Sequence, residues 1–186
     1  MKNLILSIVF FAAALAVTGQ TRYFTKNGKI YFDATSSDEK IEGTNEKAFS
    51  VISDSAGAIE FAVLMRAFIF EKALLEEHFH ENYLESDKYP KATFKGIITN
   101  FNTVDKNKNG IYPVKIKGML TLHGETKEVL ANGSLTIKDG KITAGKSQFK
   151  ILLEDFKIEI PSLVKDKISR EAKISVDVIY EPLKTS

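Results

Sequence analysis

The chain has 186 residues, 26 lysines and arginines against 24 aspartates and glutamates, and no cysteine. The lack of thiols excludes a disulfide framework, a thiolate zinc site, a cysteine nucleophile and an acylated cysteine anchor. A formal net charge of +2 gives no field that would steer the chain to nucleic acid or to a membrane surface, while 13 phenylalanines and six tyrosines supply material for a packed core.

Residues 1–19 read MKNLILSIVFFAAALAVTG. Lys2 gives a positive start, an apolar run over 4–17 follows with Ser7 as its one interruption, and Val17-Thr18-Gly19 offers a small-residue cleavage triplet. This is the pattern of a secretory signal peptide. The run is about 14 residues, short of the ~20 that a spanning helix needs. The expected organisation is therefore a leader over 1–19 and one domain over 20–186. An exported chain without disulfides must rely on its own core.

Past the leader, turn chemistry recurs. Asn27-Gly28 and Asp139-Gly140 are dipeptides suited to tight two-residue turns, and 54–57, 105–110 and 123–126 read as further turns. Between them the pattern has period two. Tyr112, Val114, Ile116, Gly118, Leu120 and Leu122 share one face, as do Phe149, Ile151 and Leu153, and Ala172, Ile174, Val176, Val178 and Tyr180. Such alternation predicts antiparallel strands with one buried face. Residues 58–70 are apolar on both faces, apart from Glu60 and Arg66, and read as one strand covered on both sides. About eight long strands and a short N-terminal one, joined by hairpins, suggest an up-and-down barrel or a sandwich.

One segment breaks this pattern. Residues 71–84 hold Lys72-Ala73-Leu74-Leu75-Glu76-Glu77, with Leu75, Phe79 and Tyr83 four apart, and Pro90 beyond them. The spacing predicts a helix over about 71–84, packed on the barrel or capping one end. The outer face of 58–70 is a surface it could cover.

Candidate chemical sites are weak. His78 and His80 lie among Glu76, Glu77 and Glu81, but residues two apart on a helix point to different faces; Glu77, His80 and Glu81 share a face better suited to a metal ion, yet a solvated helix face is the simpler reading, with a satisfied hydrogen bond against the barrel also open. His123 lies in a turn with no assembled triad, and serves there as a support of loop geometry. Glu154 and Asp155 are adjacent, so on a strand they face apart, and a turn or bulge role is the simpler reading. Asn132-Gly133-Ser134 matches a glycosylation sequon but falls within a predicted strand. No phosphate-cradling glycine loop is present. What remains is the apolar stripe. Phe61, Val63, Met65, Ile116, Leu120, Phe149, Ile151, Ile174 and Val176 are the candidate binding residues, because all can face one interior. An eight-stranded barrel can fill that interior with side chains or hold one ligand in it.

Three stretches carry a resemblance. The run from Glu77-His78-Phe79-His80 through Tyr89-Pro90-Lys91-Ala92-Thr93-Phe94-Lys95-Gly96 resembles the YceI-like family, above all the variant found in Bacteroidetes-type bacteria. Gly118-Met119-Leu120-Thr121-Leu122-His123-Gly124-Glu125-Thr126-Lys127 resembles its second signature, and 149–160, with Asp155-Phe156-Lys157-Ile158, its third. The likeness runs from about Gly28 to Pro182, although 29–51 lacks the histidine and tryptophan of typical members. The resemblance implies an all-β fold, an antiparallel eight-stranded lipocalin-like barrel around an interior tunnel. It also implies a long amphiphilic ligand, such as a polyisoprenoid or a fatty lipid, and export to the periplasm.

The expectation is thus a periplasmic or secreted, non-enzymatic binding protein. A lipid or isoprenoid would be its partner, with no cofactor, no metal, no nucleic acid and no stable membrane insertion once the leader is removed. A homodimer stays open. The alternative is a structural or protein-interaction module with a filled barrel.

Overall fold

The computed structural model describes residues 21–36, 40–161 and 168–183. The leader expected over 1–19 lies outside these residues. Eight strands close a ring: β1 (Arg22–Thr35), β2 (Glu42–Ser53), β3 (Ala58–Leu64), β5 (Lys91–Ile98), β6 (Gly110–Leu122), β7 (Glu125–Lys138), β8 (Lys141–Leu152) and β9 (Ile168–Ile179). Each pairs antiparallel with the next in chain order, and β9 returns to β1 through pairs such as Ile30–Val176 and Phe32–Ile174. The result is a closed up-and-down barrel, and among the described residues no long edge is left unpaired. Short β4 (Phe68–Phe70) adds to β2, and β10 (Glu181–Pro182) adds to β1.

Turn chemistry accounts for two of the tight corners. His123 and Gly124 have φ of 50° and 79°, and Asp139 and Gly140 have 51° and 73°. Both residues of each pair are left-handed, as a two-residue turn matched to the strand twist requires. The turn expected at Asn27-Gly28 is not formed. Here β1 runs straight through, with register shifts on either side of Gly28 where it pairs with β2. A Cβ at Gly28 would lie 2.9 Å from Val178 Cγ1 and 3.0 Å from Ala48 O, so the glycine allows close approach of three strands instead of reversing the chain.

The segment 58–70 is also not one strand. A 3-10 turn at Met65–Ala67 splits it into β3 and β4. Asn45, fully buried on β2, donates from Nδ2 to Leu64 O at 2.9 Å, and Met65 N donates to Pro90 O at 2.9 Å. These bonds hold the break, and the break changes the inward face. Phe68 and Phe70 are buried, while Ile69 is 68% exposed and Leu64 48% exposed. The outer face of this segment is therefore uncovered, and the helix does not pack on it.

The helix expected over 71–84 is shorter and changes pitch. Residues Ala73–His78 form α1, and Phe79–Tyr83 continue as a π turn closed by Leu84 N to Phe79 O at 2.9 Å. The wider turn leaves consecutive Phe79 and His80 both buried, which a regular surface helix does not readily do. Phe79 sits among Phe32, Phe68 and Phe70, with ring centroids 5.6, 5.4 and 4.8 Å away. The helical segment thus caps one end of the barrel.

The core has two parts. One gathers beneath the cap around Phe79, Phe68, Phe70, Leu153 and Phe156. The other packs the opposite end with Tyr23, Ile52, Ile59, Ile137, Ile142 and Tyr180.

Candidate functional site

Between the two cores the barrel encloses a cavity of about 350 Å³. Its wall is made by the inward face of the strands, so the period-two pattern of the sequence becomes a continuous apolar surface. All nine candidate residues, Phe61, Val63, Met65, Ile116, Leu120, Phe149, Ile151, Ile174 and Val176, lie on this wall. Four strands, β3, β6, β8 and β9, and the 3-10 turn after β3 contribute them. Small residues on neighbouring strands, Ala131, Gly145 and Ser147, are also in the wall and leave room that larger side chains would fill.

At the cap end the wall includes Leu74, Leu75 and His78 of α1, together with Phe32 and Ile168. Leu74 is 61% exposed and also borders the cavity, which places the mouth beside α1. The floor is apolar. Ile59, Ile98, Val114, Leu135 and Val178 line it, and fully buried Ile52, Ile137 and Ile142 pack below. Tyr180 also belongs to the floor, with its hydroxyl 2.9 Å from Ser50 Oγ. Burial pushes the Tyr180 phenol up to about 12, despite its hydrogen bond with Ser50, so it stays a neutral donor at ordinary pH.

The polar residues around α1 act as pins. Glu76 Oε2 accepts from Phe70 N at 3.0 Å. His80 is buried, with Nε2 3.3 Å from Phe68 O and Nδ1 3.1 Å from Ser86 Oγ. The carbonyl can only accept and the hydroxyl can donate, so one neutral tautomer satisfies both. His80 is therefore not on a solvated helix face; the π turn brings it inward. Among the described residues no three His, Cys, Asp or Glu are grouped to hold a metal ion.

His123 ties three segments together at the same end. Its Nδ1 lies 2.9 Å from Phe156 O, its Nε2 lies 3.0 Å from Glu85 Oε2, and its ring stands edge-on to Tyr89 at 4.6 Å. Lys157 pairs with Glu125 at 2.6 Å across the same corner. Glu154 and Asp155 lie exposed on a 3-10 turn over Leu153–Phe156, the turn setting expected of Asp155. Asn132 is exposed on β7 opposite Gln148.

Sequence reading missed several wall residues. Phe94 follows the same alternation as Ala92, Gly96 and Ile98, and its ring lies over the facing pair Gly96–Gly118, within 2.6 Å of where a Cβ would stand on either. Phe32 carries a similar signal within β1, hidden by the expected turn before it. Leu74 and His78 gave none, because only the placement of α1 over the mouth brings them to the cavity.

A closed antiparallel barrel of eight strands with an apolar interior and a helical cap is a lipocalin-like architecture. The model of the YceI-like domain matches residues 7–180, and the chain belongs to that family. Comparison with curated protein sequences gives no match. Similar solved structures include a polyisoprenoid binding domain from Saccharophagus degradans implicated in plant cell wall breakdown, at 14% identity and a TM-score of 0.73, covering 88% of this chain and 99% of that one. BcnA of Burkholderia cenocepacia is 13% identical with a TM-score of 0.66, covering 83% and 96%. A mutant YceI protein of Campylobacter jejuni is 18% identical with a TM-score of 0.59, covering 79% and 87%. At these identities the likeness is one of fold.

Proposed function

We propose that this protein is an exported binding protein that holds one long apolar or amphiphilic molecule, a polyisoprenoid or a fatty lipid, inside its barrel. The observation that carries this reading is the cavity itself: about 350 Å³ of space walled by the inward stripe of the strands, with a mouth beside α1. Affinity would come from burial of ligand hydrocarbon, roughly 25 cal/mol per Å² before ordering costs. Membership of the YceI-like family and the name of the Saccharophagus domain support the isoprenoid class. The leader pattern over 1–19 supports placement in the periplasm or outside the cell. The Ser86 hydroxyl beside His80 is buried with that ring away from the cavity wall, and His123 faces a carbonyl and a carboxylate, which supports binding without a chemical step. A filled structural barrel accounts less well for a cavity of this size.

Protein purified from its native host, extracted with organic solvent and examined by mass spectrometry, tests the reading. A stoichiometric lipid or isoprenoid is the expected result. Protein that is repeatedly empty, and that retains nothing from a lipid panel, overturns it. Fractionation of the host checks placement in the same preparation.

A further inference from the structure

In the apolar floor of the cavity Tyr180 meets the hydroxyl of Ser50, a residue that does not itself line the cavity. Ser50 is fully buried, Tyr180 is 4% exposed, and their oxygens are 2.9 Å apart. Two hydroxyls carry two hydrogens, and one bond between them uses only one. Neither side chain has another hydrogen-bond partner among the described residues. One hydrogen therefore remains to be given, from a pair already desolvated by folding. When Ser50 donates to Tyr180, the unspent hydrogen is the phenolic one.

We propose that the Ser50–Tyr180 pair is a polar subsite for the end of the bound molecule, donating one hydrogen bond to a neutral carbonyl-type oxygen that reaches the floor. This rests on the lipid-binding reading above and adds orientation and chemistry to it: the oxygen-bearing end goes in first and the hydrocarbon extends towards Leu74 and Leu75 at the mouth. Charge selects against anions. The floor around Tyr180 is formed by Ile59, Ile98, Val114, Leu135 and Val178, and Lys146, which also borders the cavity, has an exposed side chain whose ammonium pairs with Asp177 at 2.8 Å. A carboxylate or phosphate there would be buried without a partner, whereas a ketone, ester, amide or quinone oxygen needs only one donor. A plain hydrocarbon would fill the same space and leave the hydrogen unspent.

The test uses the full barrel protein stripped of lipid and offered an equimolar mixture of nonadecane, 2-nonadecanone and nonadecanoate, with the retained chains quantified by mass spectrometry. Ketone is expected to exceed both alkane and carboxylate by about fivefold, the worth of one net hydrogen bond. Tyr180→Phe is expected to bring the ketone-to-alkane ratio to one or below, because the buried carbonyl then has no donor. An independent reading needs no variant: the ¹³C-labelled carbonyl of ketone bound to the wild-type protein is expected to absorb at lower frequency than in hydrocarbon solvent. A ratio near one in the wild type, a ratio unmoved by Tyr180→Phe, or a bound carbonyl that absorbs as in hydrocarbon overturns the subsite and leaves lipid binding standing. Retention of none of the three chains overturns the lipid-binding reading, and the subsite with it.

Discussion

His123 Nε2 lies 3.0 Å from Glu85 Oε2, joining the β6–β7 turn to the segment that follows the π turn. The same ring reaches Phe156 O with its other nitrogen. The three segments that this one side chain connects are those in which the sequence carries its three family signatures. His123→Asn separates side-chain loss from backbone strain, because asparagine tolerates the φ of 50° at this position. The expected loss is about 1–3 kcal/mol, since the ring is nearly buried and its removal leaves a carbonyl without its donor. Chemical denaturation measures it, and a midpoint equal to wild type would show the contact to be idle.

The same contact predicts an acid response. The hydrogen bond from His123 is the main reason that the Glu85 carboxyl is held below its usual range, with Lys88 adding to it. A folded-state value below the unfolded one gives stability that is present above the ordinary glutamate value of about 4.3 and lost as pH falls through the lower folded value. Glu125 is lowered in the same direction, chiefly by its bond with Lys157. Unfolding midpoints followed downward from pH 5 are expected to fall more steeply in wild type than in Glu85→Gln. Parallel curves would remove Glu85 from the acid limb.

Phe79 is the keystone of the cap, in contact with three phenylalanine rings from β1 and β4. Phe79→Ala is expected to cost about 3–5 kcal/mol and Phe79→Leu clearly less. Proteolysis should find 71–90 first in the alanine variant. An unaltered digestion pattern would mean that Glu76 and His80 hold α1 without the ring.

Ala131 is a small residue on the cavity wall. Ala131→Phe is expected to occupy space that is open, so stability should change by less than about 1.5 kcal/mol. Retention of long chains in the lipid panel should fall several-fold. Full retention together with unchanged stability would place the bound chain away from β7.

Gly118 faces Gly96 under the ring of Phe94. A Cβ there would meet Phe94 Cζ at 2.5 Å and Lys95 O at 2.5 Å. Gly118→Ala is therefore expected to destabilise, and adding Phe94→Ala should recover only part of the loss, because the backbone contact remains. Complete rescue in the double variant would assign the whole strain to the ring.

Much of this architecture could be read from alternation. The faces of β6, β8 and β9 follow directly from period two, and the nine stripe residues do meet on one wall. Local signals failed where distant partners decided the outcome. Asn27-Gly28 has the composition of a turn, yet pairing with β2 and β9 keeps β1 extended through it. Nothing in Leu64-Met65-Arg66-Ala67 announces a break; it is made by Asn45 from β2 and by Pro90 from the start of β5. A regular helix leaves His80 on the solvated face, and the extra residue of the π turn brings it inward to the hydrogen bond against the barrel that the sequence leaves open. The Ser50–Tyr180 pair joins residues 130 apart, a separation at which no pattern in the chain links them.

The closure of β9 onto β1 has a temporal meaning. The two strands that seal the ring stand near opposite ends of the chain, so the interior has no complete wall until the last long strand has arrived. An unfinished or truncated chain offers an open apolar sheet instead of a container. Whatever occupies the interior must be trapped as the seam zips or admitted later past α1. Fragments ending before Ile168 should bind nothing selectively, however much of the stripe they retain.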